Sequence, residues 1–292
     1  MELIDGKKIA ADIRTEIAAT VVELGKSGAR RPHLAAILVG DDPASSIYVG
    51  GKEKACKEVG FDGSVYRYPA STTEAELLTA VGFLNNDPDI DGFIVQLPLP
   101  AHINAQNVIR AINPAKDVDG FHPVNIGKMT LNLPSYLPAT PFGILELLKR
   151  SNVETEGKNC VVLGRSNIVG MPISILLARN SKLGNCTVTI CHSRTKDIGL
   201  VTREADILIA AVGKPHFVTE EMVKPGAVVI DVGIHRIPDP KSKTGNRIVG
   251  DVDFENVANK CSMITPVPGG VGPMTITALL LNTLSAFRKD FD

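Results

Sequence analysis

Apolar runs of strand length recur along this chain, and helix-sized segments separate most of them. His33–Val39, 92–98, 160–164, Thr187–Cys191, 206–211 and 227–231 are the clearest. Strands that alternate with helices in this way predict a parallel sheet with helices on its faces. The alternation occurs twice, on either side of a long irregular stretch over 113–141. A chain of 292 residues has room for about two domains. The expected fold is therefore α/β, with two α/β domains and a cleft between them, divided as 1–141 and 142–274.

Local signals place the helices. Ile9, Ile13, Ile17, Val21 and Leu24 recur at helical spacing in an opening helix over 6–24. Ser45 or Ser46 is the expected cap of a second helix that Gly60 ends, and Ser71-Thr-Thr-Glu74 reads as a capping box opening a third. Further helices are expected over 105–112, 142–149, just beyond Gly164, and 275–288. Pro98 and Pro268 are candidates for cis peptide bonds.

The balance of 31 basic and 32 acidic residues gives a net charge of -1, with the two signs mixed along the chain. That leaves no electrostatic footprint for nucleic acid or an anionic membrane. Small molecules or further copies of the chain are the expected partners. No apolar stretch approaches the roughly 20 residues of a spanning helix, and the first residues do not read as a signal peptide, so a cytoplasmic location is expected. Five scattered cysteines without a Cys-x-x-Cys predict reduced, buried thiols, and six histidines without ligand spacing predict no metal site.

Cys160-Val-Val-Leu-Gly-Arg-Ser-Asn-Ile-Val-Gly170 reads as a strand, a glycine turn and a helix N-terminus, an arrangement suited to a diphosphate. A dinucleotide fingerprint wants glycine at its first, third and sixth places; here they hold Gly164, Ser166 and Val169, and Gly170 falls one place late. The next strand ends in His192-Ser-Arg194, where an acid would normally bind the ribose hydroxyls. Ser193 and Arg194, with Arg165 in the turn, suit a 2'-phosphate, which favours NADP over NAD and a Rossmann-like second domain. Gly213 and Gly233 each stand just past a strand end, where open parallel sheets bind ligands.

In the first half, Tyr48 and Lys52 lie four apart and share a helix face. Gln96 ends an apolar strand, and Asp117 and Asp119 sit in the long loop. A lysine, an amide, an aromatic ring and a carboxylate gathered at strand ends make a pocket for a flat, nitrogen-rich substrate.

Tyr48-x-x-x-Lys52, Val95-Gln-Leu-Pro-Leu99, Lys116-Asp-Val-Asp-Gly120, Gly164-Arg-Ser-x-Ile-Val-Gly170 and Pro266-Val-Pro-Gly-Gly-Val-Gly-Pro-Met-Thr275 together resemble the bifunctional methylenetetrahydrofolate dehydrogenase/cyclohydrolase family. The resemblance runs collinearly through nearly the whole chain, with a longer connection at Arg179-Asn-Ser-Lys-Leu-Gly-Asn185 as a departure. It implies oxidation of 5,10-methylenetetrahydrofolate with NADP and hydrolysis of the methenyl product to 10-formyltetrahydrofolate. It implies Lys52 as the catalytic lysine, Gln96 as its partner, Tyr48 stacking on the folate and Asp119 binding the pterin. Leu97, Pro98, Pro268, Gly269 and Gly270 would complete the folate site. Gly164, Arg165, Ser166, Ile168, Ser193, Arg194, Gly213 and Ile234 would hold NADP. The resemblance also implies that a last helix, 275–292, completes the first domain, that the nicotinamide reaches across the cleft, and that the protein is a homodimer. A dehydrogenase lacking the hydrolytic step, and a silent nucleotide-binding protein on the same fold, are the other readings. An intact Lys52, Gln96 and Asp119 speaks against the latter.

Overall fold

The computed structural model describes residues 1–242 and 245–291. The chain forms two compact units, one of Met1–Ala10 with Thr140–Thr275, the other of Ala11–Ala139 with the residues from Ile276 onward. The first ten residues thus cluster with the later unit, whereas the sequence places them in the 1–141 domain. The reason is a two-residue strand, β1 (Glu2–Leu3), which pairs with a strand near the far end of the chain. Helix α1 (Gly6–Lys26) follows, and its Ile13 and Ile17 are buried as the periodicity predicts.

In the unit of Ala11–Ala139, β2 (His33–Val39) is the centre of a three-stranded parallel sheet. Six of its seven residues are buried, which is why it reads as a continuous apolar run rather than an alternating one. Helix α2 (Pro43–Val59) is capped by Asp42, whose carboxylate accepts from Ser45 N at 2.7 Å, with Pro43 in the first turn. The cap is therefore Asp42 rather than Ser45 or Ser46, because a proline fixed at the first helical position suits entry one turn earlier. Gly60 ends α2 in the left-handed conformation. Strand β3 (Asp62–Tyr68) flanks β2 on one side. Helix α3 (Glu74–Asn86) follows, and its capping box is Thr73 with Glu76, not Ser71 with Glu74.

Strand β4 (Gly92–Val95) flanks β2 on its other side and buries Phe93 completely against Leu77 and Val81 of α3. After α4 (Ala105–Ala111) comes a short helix, α5 (Pro123–Thr130), inside the stretch expected to be irregular, and then α6 (Ala139–Arg150). Proline at the first position and a His122 ring nitrogen accepting from Val124 N at 3.1 Å start α5, a cap unlike the usual Ser, Thr, Asp or Asn.

The other unit carries β5 (Asn159–Leu163), α7 (Gly170–Ala178), β6 (Thr187–Cys191), α8 (Ile198–Thr202), β7 (Ile207–Ala210) and β8 (Val228–Asp231). A two-stranded antiparallel ribbon of β9 (His235–Pro238) and β10 (Asn246–Val249) follows, unanticipated in the sequence. The chain continues through α9 (Phe254–Val257) and β11 (Met263–Ile264) into α10 (Val271–Arg288). The six-stranded sheet is wholly parallel in the order β1-β11-β8-β7-β5-β6, so the strand order reverses between β5 and β7. Val161, Leu208, Val229 and Ile264 form its buried centre. Helix α10 starts at Val271, inside the glycine-proline stretch, and Asp292 of the expected 275–292 helix lies outside the described residues. Both Leu97–Pro98 and Val267–Pro268 are cis.

Candidate active site

Lys52 and Gln96 meet because α2 leaves the end of β2 at which β4 finishes. Val95 pairs in register with Ile37, and Gln96 N still donates to Ile37 O at 2.9 Å before the chain turns. Gln96 Nε2 donates to Leu97 O at 2.6 Å, which fixes the amide and aims Oε1 at Lys52 Nζ, 2.8 Å away. Burial lowers the Lys52 pKa, and the charge of Asp119 opposes that shift. Burial raises the Asp119 pKa in turn, with Lys52 opposing. Tyr48, one turn before Lys52, is exposed. Leu97 is half-buried and Pro98 exposed.

The loop that carries Asp119 is held at several points. Lys116 Nζ donates to Leu84 O and Asp87 O, at 2.9 and 2.5 Å, satisfying carbonyls at the end of α3. Asp117, 1% exposed, accepts from His122 N and Asn125 Nδ2 at 2.8 Å each and from Phe121 N at 3.3 Å. Gly120 has φ +74, and a Cβ there would lie 2.5 Å from the Leu137 carbonyl carbon. Asn282 of α10 donates to both Val118 O and Leu137 O at 2.8 Å. Of the two acids in the loop, Asp117 is thus occupied in shaping it, and Asp119 is the one coupled to Lys52. Asn282 was not foreseen, since nothing local marks an asparagine whose partners lie 164 and 145 positions away.

Burial outweighs those three donors and pushes the Asp117 carboxyl up to about 7. Between the ordinary value of 3.8 and about 7, the folded chain holds a proton that the unfolded chain has released. The contribution of Asp117 to stability therefore falls as pH rises through that window. A carbon-detected titration of the Asp117 carboxyl should show a midpoint near 7; a midpoint below the ordinary carboxylate value would contradict this.

In the other unit, Gly164 follows β5 with φ +116, and a Cβ on it would collide with Ala211 O, just past β7. The turn thus lies where the strand order reverses, the position at which open parallel sheets bind nucleotides. Gly170 opens α7, where a Cβ would lie 2.6 Å from the Gly164 carbonyl carbon. The late glycine therefore serves close packing of turn on helix. Ser166 Oγ accepts from Val169 N and Gly170 N at 3.2 and 3.3 Å, so the predicted phosphate residue holds the turn that leads into α7, whose N-cap position is Val169. Replacing Gly164 by alanine should destabilise the fold by about 1–3 kcal/mol from strained backbone alone, and by more from the collision. An unchanged thermal midpoint would refute that placement.

Leu163 pairs in register with Cys191, and Gly164 N donates to Cys191 O at 2.8 Å, so Arg165 and Ser193 leave neighbouring strand ends. Arg165, Ser193 and Arg194 are exposed, and neither arginine has an ion pair among the described residues. This donor set, beside a turn that admits no Cβ, fits a phosphorylated dinucleotide. Ile168 and Ile234 are exposed, at 42% and 47%, as side chains that would cover a flat ring. Gly213 has φ +69, and its N–H donates to Asp251 Oδ2 at 3.0 Å. Gly269, φ +110, accepts at its carbonyl from Lys7 N at 2.8 Å, and a Cβ on Gly270 would lie 2.6 Å from Pro266 O. Pro268 precedes them at the cis bond. Among the described residues there is no group of three or more His, Cys, Asp or Glu side chains able to hold a metal ion. No helix of the described residues is long and apolar enough to cross a membrane.

A doubly wound nucleotide-type unit and a second α/β unit bearing a half-buried lysine define a two-part dehydrogenase. Residues 4–119 match the family described as tetrahydrofolate dehydrogenase/cyclohydrolase, catalytic domain, and residues 138–291 match tetrahydrofolate dehydrogenase/cyclohydrolase, NAD(P)-binding domain. The bifunctional protein FolD of Porphyromonas gingivalis is 59% identical over 287 residues, covering 98% of this chain and 97% of its own. The crystal structure of FolD from Campylobacter jejuni superposes with a TM-score of 0.93 at 46% identity, covering 99% of both chains. That of the Trypanosoma brucei enzyme, complexed with NADP cofactor and inhibitor, does so at 0.93 and 40%, covering 99% of this chain and 97% of its own. The chain belongs to the tetrahydrofolate dehydrogenase/cyclohydrolase family. It is a bifunctional enzyme, an NADP-dependent methylenetetrahydrofolate dehydrogenase and a methenyltetrahydrofolate cyclohydrolase.

Proposed function

We propose that Lys52 serves both reactions, with Gln96 as its hydrogen-bonding partner, Asp119 as the anchor of the pterin ring and Tyr48 stacked on the folate. The observation that carries this is the 2.8 Å hydrogen bond from Lys52 Nζ to the fixed Gln96 Oε1. NADP, when bound, supplies the hydride acceptor, and Gly164, Arg165, Ser166, Ile168, Ser193, Arg194, Gly213 and Ile234 are the residues that would hold it. Loss of hydride leaves the substrate's one-carbon bridge as a cation, which a protonated amine alongside would oppose. Burial favours the neutral amine, and Gln96 holds one of its N–H groups aside. In the hydrolytic step the Lys52 lone pair takes a proton from the attacking water as the new carbon–oxygen bond forms. That proton then passes to N5 as the carbon–N5 bond breaks, and the remaining hydroxyl proton is released to water as the carbonyl forms, leaving the formyl group on N10. Asp119 suits the pterin amino and ring N–H donors, because an ionised carboxylate only accepts. Leu97, Pro98, Pro268, Gly269 and Gly270 complete the folate contacts in this reading.

Absorbance at the methenyl and NADPH bands tests it, when purified protein meets 5,10-methylenetetrahydrofolate with each cofactor. NADPH formed without accumulation of methenyl product supports both activities; no change with either cofactor overturns the reading. A second test uses the electrostatic coupling. The charge of Asp119 raises the Lys52 pKa, so Asp119→Asn should move the rising limb of the hydrolysis rate to lower pH, alongside weaker folate binding. A limb that moves to higher pH would sink the coupling.

Residues 1–141 with the last helix form the catalytic part of this proposal and 142–274 the cofactor part. A cytoplasmic homodimer belongs to the same proposal. Five free, buried cysteines suit a reducing compartment, and the dimer rests on the family resemblance. A monomeric mass by light scattering would overturn the dimer.

A further inference from the structure

Asp251 lies just beyond β10 and is fully buried. Its Oδ2 accepts from Val212 N at 2.6 Å and Gly213 N at 3.0 Å. Its Oδ1 accepts from Lys214 N at 2.9 Å and stands 2.7 Å from His235 Nε2. One carboxylate thus binds three successive amides of the loop after β7 and the side chain that opens β9. The carboxylate is itself held in place. Asp251 N and Val252 N donate to the two oxygens of Asp231, at 2.9 and 3.0 Å, and Gly233 N donates to Asp231 Oδ1 at 3.0 Å. Thr265 Oγ1 accepts from Asp231 N at 2.8 Å. The surrounding glycines are part of the device, since a Cβ on Gly233 would strike the Asp251 carboxylate and one on Gly250 would strike that of Asp231.

Val212 and Gly213 leave the end of β7, and Gly233 and Ile234 leave the end of β8, its neighbour in the sheet. Backbone bonds tie the farther part of the loop after β7 to the Asp251 segment, from His216 N to Gly250 O at 3.2 Å and from Val218 N to Asp251 O at 2.9 Å, and leave the fixing of Val212 and Gly213 to side-chain bonds. Four donors converging on one buried carboxylate supply that fixation, and bonds to a charged acceptor are roughly twice as strong as neutral ones. We infer that Asp251 is a positioning residue for cofactor binding, a buried carboxylate that sets the Gly213 loop and the Ile234 segment relative to one another. The inference rests on the reading that Gly213 and Ile234 contact NADP.

The test separates positioning from general support of the fold, because hydrolysis of methenyl substrate supplied directly needs no cofactor. Asp251→Asn leaves one acceptor oxygen and turns an NH2 group toward donors. We expect the KM for NADP to rise by about tenfold or more, at ~1.4 kcal/mol per tenfold, with dehydrogenase kcat less affected. Direct hydrolysis should stay within about twofold of the parent. An unchanged KM for NADP overturns the inference, and so does a parallel fall of both activities in a variant of unaltered melting temperature. Should Asp251→Asn not fold, His235→Phe removes one partner and His235→Gln retains a donor. A raised KM in the first, restored in the second, supports the role; equal KM values overturn it. Ile234→Ala tests the underlying reading separately: if this exposed side chain can be removed with no change in KM for NADP, the assignment of the segment to the cofactor fails on its own.

Discussion

Replacing Lys52 by methionine lowers methenyltetrahydrofolate hydrolysis by about 10²- to 10⁴-fold, the usual contribution of a positioned general base, and leaves the chain folded. Methionine keeps the length and apolar body of lysine without its amine. Among the described residues, the bond removed is the one to Gln96 Oε1, and the Gln96 amide remains fixed through Leu97 O. Neither residue is fully buried, so water can take the place of the lost donor at Oε1. The stability cost should therefore stay within about 1–1.5 kcal/mol, the usual net worth of one hydrogen bond. Loss of methenyl absorbance after direct addition of the substrate gives the rate, and a melt followed by circular dichroism gives the fold. Hydrolysis at the parental rate by Lys52→Met would remove the base from the proposal. Dehydrogenation falls less if the neutral amine serves mainly to avoid opposing the developing cation, so the two activities should separate in this variant.

The parts of the fold that were legible in the sequence are those whose cause is local. Strand β2 declares itself because nearly every residue in it is buried, and β6 because its five residues are β-branched, apolar or both but for the final cysteine. Gly60, Gly164 and Gly213 announce positive φ, since no other residue adopts it so readily. Gln96 was legible as an amide at the end of an apolar strand that would need a partner, and Lys52 is that partner. What was not legible depends on distant partners. Glu2 and Leu3 form a strand only because Met263 and Ile264 lie alongside. Helix α5 contains Asn125, Gly127 and Thr130, poor helix formers, and Asp117 anchors its entrance through a side chain and backbone amides outside any local pattern. Asp251 stands among other acids in Gly250-Asp-Val-Asp253, and only the folded chain shows which of them receives the loop after β7.

Removing Arg165 and Ser193 together abolishes the preference for NADP, by about 10²- to 10⁴-fold in kcat/KM, if each supplies a charge-assisted hydrogen bond of about 1.5–3 kcal/mol to the 2'-phosphate. The sheet gives the reason to pair them. Strands β5 and β6 run side by side with Leu163 opposite Cys191, so the residues just beyond them emerge at adjacent strand ends. Arg194 N is taken by the His192 ring at 3.2 Å and His192 N by Thr195 Oγ1 at 2.9 Å, which fixes a tight turn and leaves the Ser193 and Arg194 side chains exposed. No acid stands in His192-Ser-Arg194, so an unphosphorylated ribose finds no carboxylate acceptor there. Arg165→Ala with Ser193→Ala should accordingly lose NADP turnover without gaining NAD turnover. Arg165→Ala with Ser193→Asp should gain it, because the new carboxylate accepts the ribose hydroxyls and repels the phosphate. Steady-state rates with each cofactor at fixed folate decide the matter. Equal use of NAD and NADP by the unaltered protein, or an unchanged preference in the double alanine variant, would mean that these exposed side chains are solvated cations and hydroxyls with no part in choosing the cofactor.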